Sequence, residues 1–179
     1  MSTRAATRYA KAVLDLSVER NKVDAVYSDM TTIDDTLKSN RELRGFLDSP
    51  VIKNEDKRDA LRQVFKDSSQ TTFSLIDIVV DNNRASMLGD VAESFLDLYN
   101  KKEGIVIANV TTAVELNQEL ENKILAKVKE ISGSSKVQLK HNIDPDIIGG
   151  FILRVGDIQY DASIENQLDK IEKEFTKSL

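Results

Sequence analysis

The sequence predicts an all-α first domain at residues 1–104 and a small α+β second domain at residues 105–179. Up to Gly104, apolar residues recur at three-to-four spacing, which is the period of an amphipathic helix. Residues 105–110 are a short β-branched run, which is typical of a buried strand. Residues 137–143 alternate apolar and polar side chains, which indicates a strand with one wet face.

The first domain is predicted to hold five or six short helices, a number that fits a compact bundle. Residues 23–37 continue the helical period of the first segment, whereas residues 40–45 are polar and predict a turn. Ser49-Pro50 predicts a helix boundary, and a further helix should begin near Asn54 or Glu55. The first helix carries an apolar stripe of Tyr9, Ala12, Val13 and Leu16.

The fifth helical segment, at residues 73–80, has a broad apolar face and is predicted to be central. Residues 81–84 should break it, and a last helix should end at Gly104. The apolar face of the fifth segment consists of Phe73, Leu75, Ile76, Val79 and Val80.

The second domain is predicted to have the element order β-α-β-β-β-α. Thr112 and Glu115 have the spacing of a capping box, which predicts that a helix starts there and runs to Gly133. Gly156-Asp157 is a two-residue hairpin signal between two strands. A final helix, capped by Asp161 or Ser163, should carry Ile164, Leu168, Ile171 and Phe175 on one side.

Composition excludes several function classes. The chain has 179 residues, 30 acidic against 25 basic, and a net charge of −5, which argues against a free-standing nucleic-acid binder. It has no cysteine, so disulfides and thiol nucleophiles are excluded. No run approaches the length of a membrane span, and no metal or cofactor motif is present.

The single histidine, His141, is the only catalytic candidate that stands out. Its neighbours on the same strand face are Leu139 and Ile143, which favours a partly buried histidine with a backbone partner. The alternative is a small hydrolase or transferase in which His141 works with a nearby carboxylate. Asp144 and Asp146 flank a proline and are better explained by a turn than by a cation site.

The Gly149-Gly150 pair lies in an apolar, strand-like run rather than at the start of a helix. No P-loop or dinucleotide-binding pattern accompanies it. The pair therefore indicates a bulge or the close approach of a neighbouring backbone, rather than a phosphate site.

The remaining candidate is a surface for another protein. The first helix carries alanines beside Tyr9 and on part of the opposite side, more than one buried stripe requires. Small residues allow a second helix to approach closely, with an aromatic residue as an anchor. On pattern alone this predicts either an interface or ordinary packing on the bundle, and a general helical adaptor that binds an amphipathic helix remains an alternative.

Several stretches spread over the whole chain resemble the delta subunit family of bacterial F-type ATP synthase, whose mitochondrial relatives are the oligomycin sensitivity-conferring proteins. The most specific is residues 143–151, followed by Asp161 and Ser163. The stretches are residues 8–12 (RYAKA), 46–52 (FLDSPVI) with Lys57, 81–84 (DNNR), 110–113 (VTTA) with Leu116, 143–151 (IDPDIIGGF), 154–157 (RVGD) and 161–163 (DAS).

The resemblance implies a six-helix N-terminal domain, a small α/β C-terminal domain and a non-catalytic role without cofactor. Such a subunit is a stator that links the catalytic head to the peripheral stalk, at the cytoplasmic face of the membrane, reaching the membrane only through the complex. The partners implied are the N-terminal helix of an alpha subunit and the stalk b subunits.

The resemblance also implies where these partners bind. The alpha-subunit helix would occupy a groove between the first and fifth helices, and the stalk would contact the second domain near Phe151 and the last helix. Because the groove residues are uncharged, the affinity of the groove for the alpha-subunit helix should change little with salt concentration. The groove residues are Tyr9, Ala12, Val13, Leu16, Leu75, Ile76, Val79 and Val80, and those at the stalk contact are Gly149, Gly150 and Phe151.

Overall fold

A computed structural model describes residues 4–134, 136–145, 147–168 and 173 of the chain. It divides into two compact units, Met1–Tyr99 and Asn100–Leu179. This division falls a few residues before Gly104, where the change of sequence period occurs. The first unit is helical and the second is built around a four-stranded sheet.

The helices of the first unit follow one another with short connections, as the spacing of apolar residues predicts. The last α-helix continues past Tyr99 into the second unit. The elements are α1 (Arg4–Glu19), α2 (Val23–Ser39), α3 (Arg41–Asp48), α4 (Asn54–Val64), α5 (Gln70–Asp81), a 3-10 helix (Ala85–Met87) and α6 (Leu88–Glu103).

Helix α3 corrects the prediction of a turn at residues 40–45. The Asn40 side chain accepts a hydrogen bond from the Leu43 amide at 3.0 Å and so caps the helix. Asparagine is a favoured N-cap as well as a turn residue, and Leu47 is the buried residue of this short helix. The polar residues at 40–45 therefore form the solvent-facing start of a helix and not a turn.

Helix α5 is central to the first unit, as predicted. It packs against α1, α2 and α4, and buries Leu75, Ile76, Val79 and Val80. Its first turn is held from α2, because the Asp29 carboxylate accepts hydrogen bonds from the Ser69 amide at 2.8 Å and the Thr72 hydroxyl at 2.7 Å. The apolar core therefore forms around a helix whose start is fixed by a neighbouring side chain.

A buried lysine joins the end of α3 to α4. Lys57 is 7% exposed, and its ammonium donates to the carbonyls of Leu47 at 2.6 Å and Ser49 at 2.7 Å. These carbonyls lie at the end of α3, where backbone acceptors lack intrahelical donors. The charge of Lys57 is thus stabilised by the carbonyl end of a helix, the position that favours cations.

The second unit is a mixed sheet with one crossover helix. The strand order is β2-β1-β3-β4, with β1 parallel to β2 and the other pairs antiparallel. A small core of Ala108, Val110, Ile124, Val128 and Leu153 lies between sheet and helix. The elements are β1 (Val106–Thr112), α7 (Gln118–Ser132), β2 (Val137–Ile143), β3 (Phe151–Val155) and β4 (Ile158–Asp161).

The predicted capping box at Thr112 and Glu115 is wrong. Thr112 is the last residue of β1, and its hydroxyl donates to the Val114 carbonyl at 2.5 Å. Helix α7 starts later, where the Asn117 side chain accepts from the Leu120 amide at 2.8 Å. The spacing of a capping box is short enough to occur by chance beside a strand.

The predicted hairpin at Gly156-Asp157 is confirmed, since Val155 pairs with Ile158 across it. Residues 164–168 are helical, and the Ser163 hydroxyl caps them by accepting from the Asn166 amide at 3.3 Å. Ile171 and Phe175, also predicted for this helix, and Asp146 lie outside the described residues. No helix in the described part of the chain is both long enough and apolar enough to span a bilayer.

The glycine pair precedes β3 rather than lying within it, and it permits close backbone approach. Gly150 has φ of +81°, and a Cβ atom there would lie 2.2 Å from the Ala162 carbonyl oxygen. The Gly149 carbonyl accepts from the Ile164 amide at 3.0 Å. These two glycines therefore allow the chain before β3 to lie against the segment after β4.

Replacing Lys57 by Met should lower the free energy of unfolding by about 2–3 kcal/mol, because two charge-assisted hydrogen bonds are lost while the stem is kept. The measurement is urea denaturation of the full chain, followed by circular dichroism. Lys53→Met is the matched control, because Lys53 is exposed and should change stability by less than about 0.5 kcal/mol. Equal effects of the two substitutions would contradict the role given to Lys57.

Gly150→Ala should destabilise the second unit by about 3 kcal/mol, since it combines a left-handed backbone with a steric clash. Gly133 is a matched control: it has φ of +66°, but a Cβ atom there would meet nothing within 4 Å. Gly133→Ala should therefore cost only about 1 kcal/mol. Hydrogen exchange of the β3 amides measures both effects, and equal protection in the two variants would refute the clash.

Candidate partner-binding site

Helices α1 and α5 pack directly against each other, and this contact divides the predicted groove residues into two groups. Five of them are buried in the free chain and contribute to the core. Those five are Val13, Leu75, Ile76, Val79 and Val80.

The other predicted groove residues reach the surface. Tyr9 and Leu16 are half-buried and Ala12 is exposed, all on α1. On α5, Ile78 is 51% exposed and Phe73 is half-buried. Ile78 is not among the predicted groove residues, although it lies within the apolar run at residues 73–80. The sequence could have identified it, because Ile78 is an apolar residue that does not lie on the helix face formed by the buried positions.

The Tyr9 side chain is anchored at the end of α5. Its hydroxyl accepts from Asn82 Nδ2 at 3.2 Å and from Arg84 Nη1 at 3.2 Å. The Arg84 guanidinium also lies over the Tyr9 ring, 5.9 Å from the centroid, which is a cation–π distance. These contacts place the break after α5, predicted at residues 81–84, beside the first half of α1.

An open pocket of about 580 Å³ lies beside Tyr9, and three arginines contribute to its walls. The residues that line it are Arg4, Ala5, Arg8, Tyr9, Ala12 and Arg84. The predicted groove residues Tyr9 and Ala12 are uncharged, but at this end of α1 they lie beside three arginines. Arg4 and Arg8 are one helical turn apart on α1, whereas Arg84 arrives from the loop after α5.

Ion pairs between α4 and α5 hold a different part of the α5 surface. Arg62 donates to Asp77 at 2.7 Å, and Arg58 lies 3.4 Å from Asp77 and pairs closely with Asp81. The hydrogen bond to Asp77 raises the pKa of Arg62 above its ordinary value. Both acidic residues of α5, Asp77 and Asp81, are thus paired with arginines of α4.

In the second unit, the residues predicted to contact the stalk lie beside exposed apolar side chains. Phe151 is half-buried and stacks at a tilt on Tyr160, with 6.1 Å between ring centroids. Ile148 is 73% exposed and Leu168 is 58% exposed. The family resemblance implies a stalk contact at Gly149 and Gly150. In the free chain these glycines pack closely against residues 162–164, as the close backbone approach predicted for the pair requires.

His141 differs from its predicted setting. It is exposed, and its Nε2 lies 2.7 Å from the Thr112 hydroxyl oxygen, so its partner is a side chain rather than the backbone. Because that hydroxyl donates to Val114, His141 Nε2 is the donor in this contact. Across the residues that the structure describes, no group of three or more His, Cys, Asp or Glu residues could hold a metal ion.

Comparisons with known proteins agree with this helical-plus-sheet architecture. Residues 5–175 match the family described as ATP synthase delta (OSCP) subunit. ATP synthase subunit delta of Christiangramia forsetii is 48% identical over 172 residues, covering 96% of this chain and 93% of the relative. ATP synthase delta chain of the Chlamydomonas reinhardtii chloroplast is 31% identical, covering 96% and 79% of the two chains.

A solved structure shows the same fold. A chain in the cryo-EM structure of the Toxoplasma gondii mitochondrial ATP synthase hexamer superposes with a TM-score of 0.74 and 25% identity. The superposition covers 97% of this chain and 98% of the matched chain. Since both the family match and these relatives span nearly the whole sequence, the chain belongs to the ATP synthase delta (OSCP) subunit family.

Proposed function

We propose that this stator subunit receives the N-terminal helix of an alpha subunit on the exposed surface of α1 and α5. Membership of the family makes the chain a non-catalytic subunit of F-type ATP synthase that links the catalytic head to the peripheral stalk. The family match over residues 5–175 is the observation that carries this function. It also replaces the alternatives of a hydrolase that uses His141 and of an unrelated helical adaptor.

The surface chemistry of the first unit supports the binding site. Ala12 on α1 is exposed and small, so a docked helix can approach the backbone closely there. Leu16 and Ile78 add apolar surface on the two contacting helices, and Tyr9 adds an aromatic anchor. Val13 and the four buried α5 residues support the site as its floor rather than as contacts.

The helical first unit has a mechanical task in this proposal. A stator contact performs no bond chemistry; it needs only to persist while the rotor turns. A nanomolar contact corresponds to about 12 kcal/mol, and an interface of about 1,600 Å² is the usual size for such affinity. Burial of apolar side chains from a docked helix is the main source of that free energy.

The second unit is proposed to bind the end of the stalk b subunits. The supporting observation is the group of exposed apolar side chains beside Gly149, Gly150 and Phe151, a pattern that marks protein contacts. Through these two attachments the chain would lie at the cytoplasmic face of the cell membrane, bound to it only through the complex. The exposed apolar residues are Ile148, Ile164 and Leu168.

Ala12→Arg should weaken binding of a peptide from the alpha-subunit N-terminus by at least about ten-fold, because a long charged side chain would block helix approach. Ala12 is exposed, so the fold should tolerate the change. Titration calorimetry with the full chain measures the affinity. Ala25→Arg, at an exposed alanine of α2, is the control and should bind as the parent does.

Val79→Asp is unsuitable as a second test, because Val79 is buried and the substitution would disturb the core. Unchanged affinity of Ala12→Arg would mean that this surface is not the site.

Ile148→Glu should release the b subunits from the purified complex while the alpha subunit is retained, because a charge would be placed in an apolar contact. Ile148 is 73% exposed, so the second unit should remain folded. The measurement is subunit stoichiometry after affinity purification. Val51→Glu, at an 88% exposed residue of the first unit, should leave the b subunits bound. Full retention of the b subunits by Ile148→Glu would move the stalk contact elsewhere.

A further inference from the structure

The pocket beside Tyr9 concentrates positive charge on a chain that is acidic overall. Arg4, Arg8 and Arg84 line it together, whereas the whole chain carries a net charge of −5. We call these three residues with Tyr9 the arginine pocket. Arg4 lies in the first turn of α1, where the helix dipole disfavours a cation. Helix stability therefore does not explain why an arginine occupies this position.

The charges of the arginine pocket are not neutralised within the described part of the chain. Ion pairs there use other cations, and neither Arg4, Arg8 nor Arg84 lies within ion-pair distance of a carboxylate. The cations that do form pairs are Lys38, Arg58, Arg62, Lys123, Lys127 and Lys136. Three arginines therefore line one open pocket, and no carboxylate of the described residues forms an ion pair with them.

Tyr9 adds a hydrogen-bond donor to the same pocket. Its hydroxyl oxygen accepts two hydrogen bonds, from Asn82 and from Arg84, which occupies both lone pairs. The hydroxyl proton of Tyr9 has no acceptor among the residues that the structure describes. An acceptor that carries negative charge would satisfy this proton and the neighbouring guanidinium groups at once.

We propose that the arginine pocket binds carboxylate side chains of the docking helix, and so fixes which end of that helix lies at the start of α1. The inference rests on the proposed function, because the ligand is the helix assigned to the α1 and α5 surface. The Tyr9 hydroxyl and the guanidinium groups of Arg8 and Arg84 are the donors. Apolar contact then supplies the main affinity, and charge complementarity supplies orientation and a salt-dependent part.

The test is titration calorimetry of the full chain with the alpha-subunit N-terminal peptide at about 0.1 M and about 1 M salt, where the screening length falls from about 10 Å to about 3 Å. Arg8→Gln and Arg84→Gln should each weaken binding about five- to ten-fold at the lower salt, and this difference should vanish at the higher salt. A peptide with its Asp and Glu residues replaced by amides should show the same loss. The Arg8→Gln variant of the chain should bind that amide peptide no more weakly than the parent chain does.

A matched control separates this pocket from general charge effects. Arg20 is an exposed arginine just beyond the other end of α1, and Arg20→Gln should leave the affinity unchanged. If Arg8→Gln and Arg84→Gln bind like the parent at low salt while Ala12→Arg does not, the arginine pocket is refuted and the docking site stands. If the parent chain fails to bind the peptide, or Ala12→Arg binds it normally, the proposed docking site fails and this inference fails with it.

Discussion

Burial of helix α5 is the constraint on which the first unit depends. Four apolar residues of α5 are withdrawn from water by α1, α2 and α4, and a buried side chain of this size contributes about 1.5–3 kcal/mol. Asp29 fixes the start of α5 and the ion pairs with α4 fix its outer side. Because those faces are occupied, Ile78 and the neighbouring surface of α1 remain accessible. The proposed binding surface is therefore the part of α1 and α5 that packing in the core and the ion pairs leave exposed.

A different constraint governs the second unit. Its core is small, so its shape depends more on backbone contacts than on apolar area. The glycine pair lets residues 149–150 lie against residues 162–164, which joins the entry to β3 with the exit from β4. Ile148 precedes the glycine pair and Ile164 contacts Gly149, and both are exposed apolar residues, as is Leu168 one helical turn further on. Close backbone packing and exposed apolar surface thus occur together at the glycine pair.

Periodicity was sufficient to predict most helices, because an amphipathic helix marks its own buried face. It failed at residues 40–45, where a polar helix start resembles a turn. The capping-box motif failed at Thr112, which is the end of a strand. For the site, the sequence showed the apolar stripe of α1. It did not show which neighbouring helix buries Val13 while Ala12 stays exposed. The arginine pocket was not predictable, since Arg84 meets Tyr9 across a separation of 75 residues.

The mixed sheet also bears on how the chain is made. Strand β1 has both of its partners, β2 and β3, later in the sequence. During synthesis, the helices of residues 1–99 can therefore collapse while the apolar side chains of β1 still await residues that the ribosome has not released. Pairings between distant segments form slowly, and an unpaired strand is a template for aggregation. Until β2 has been synthesised, β1 therefore lacks both of its pairing partners, and its unpaired backbone is a potential template for aggregation.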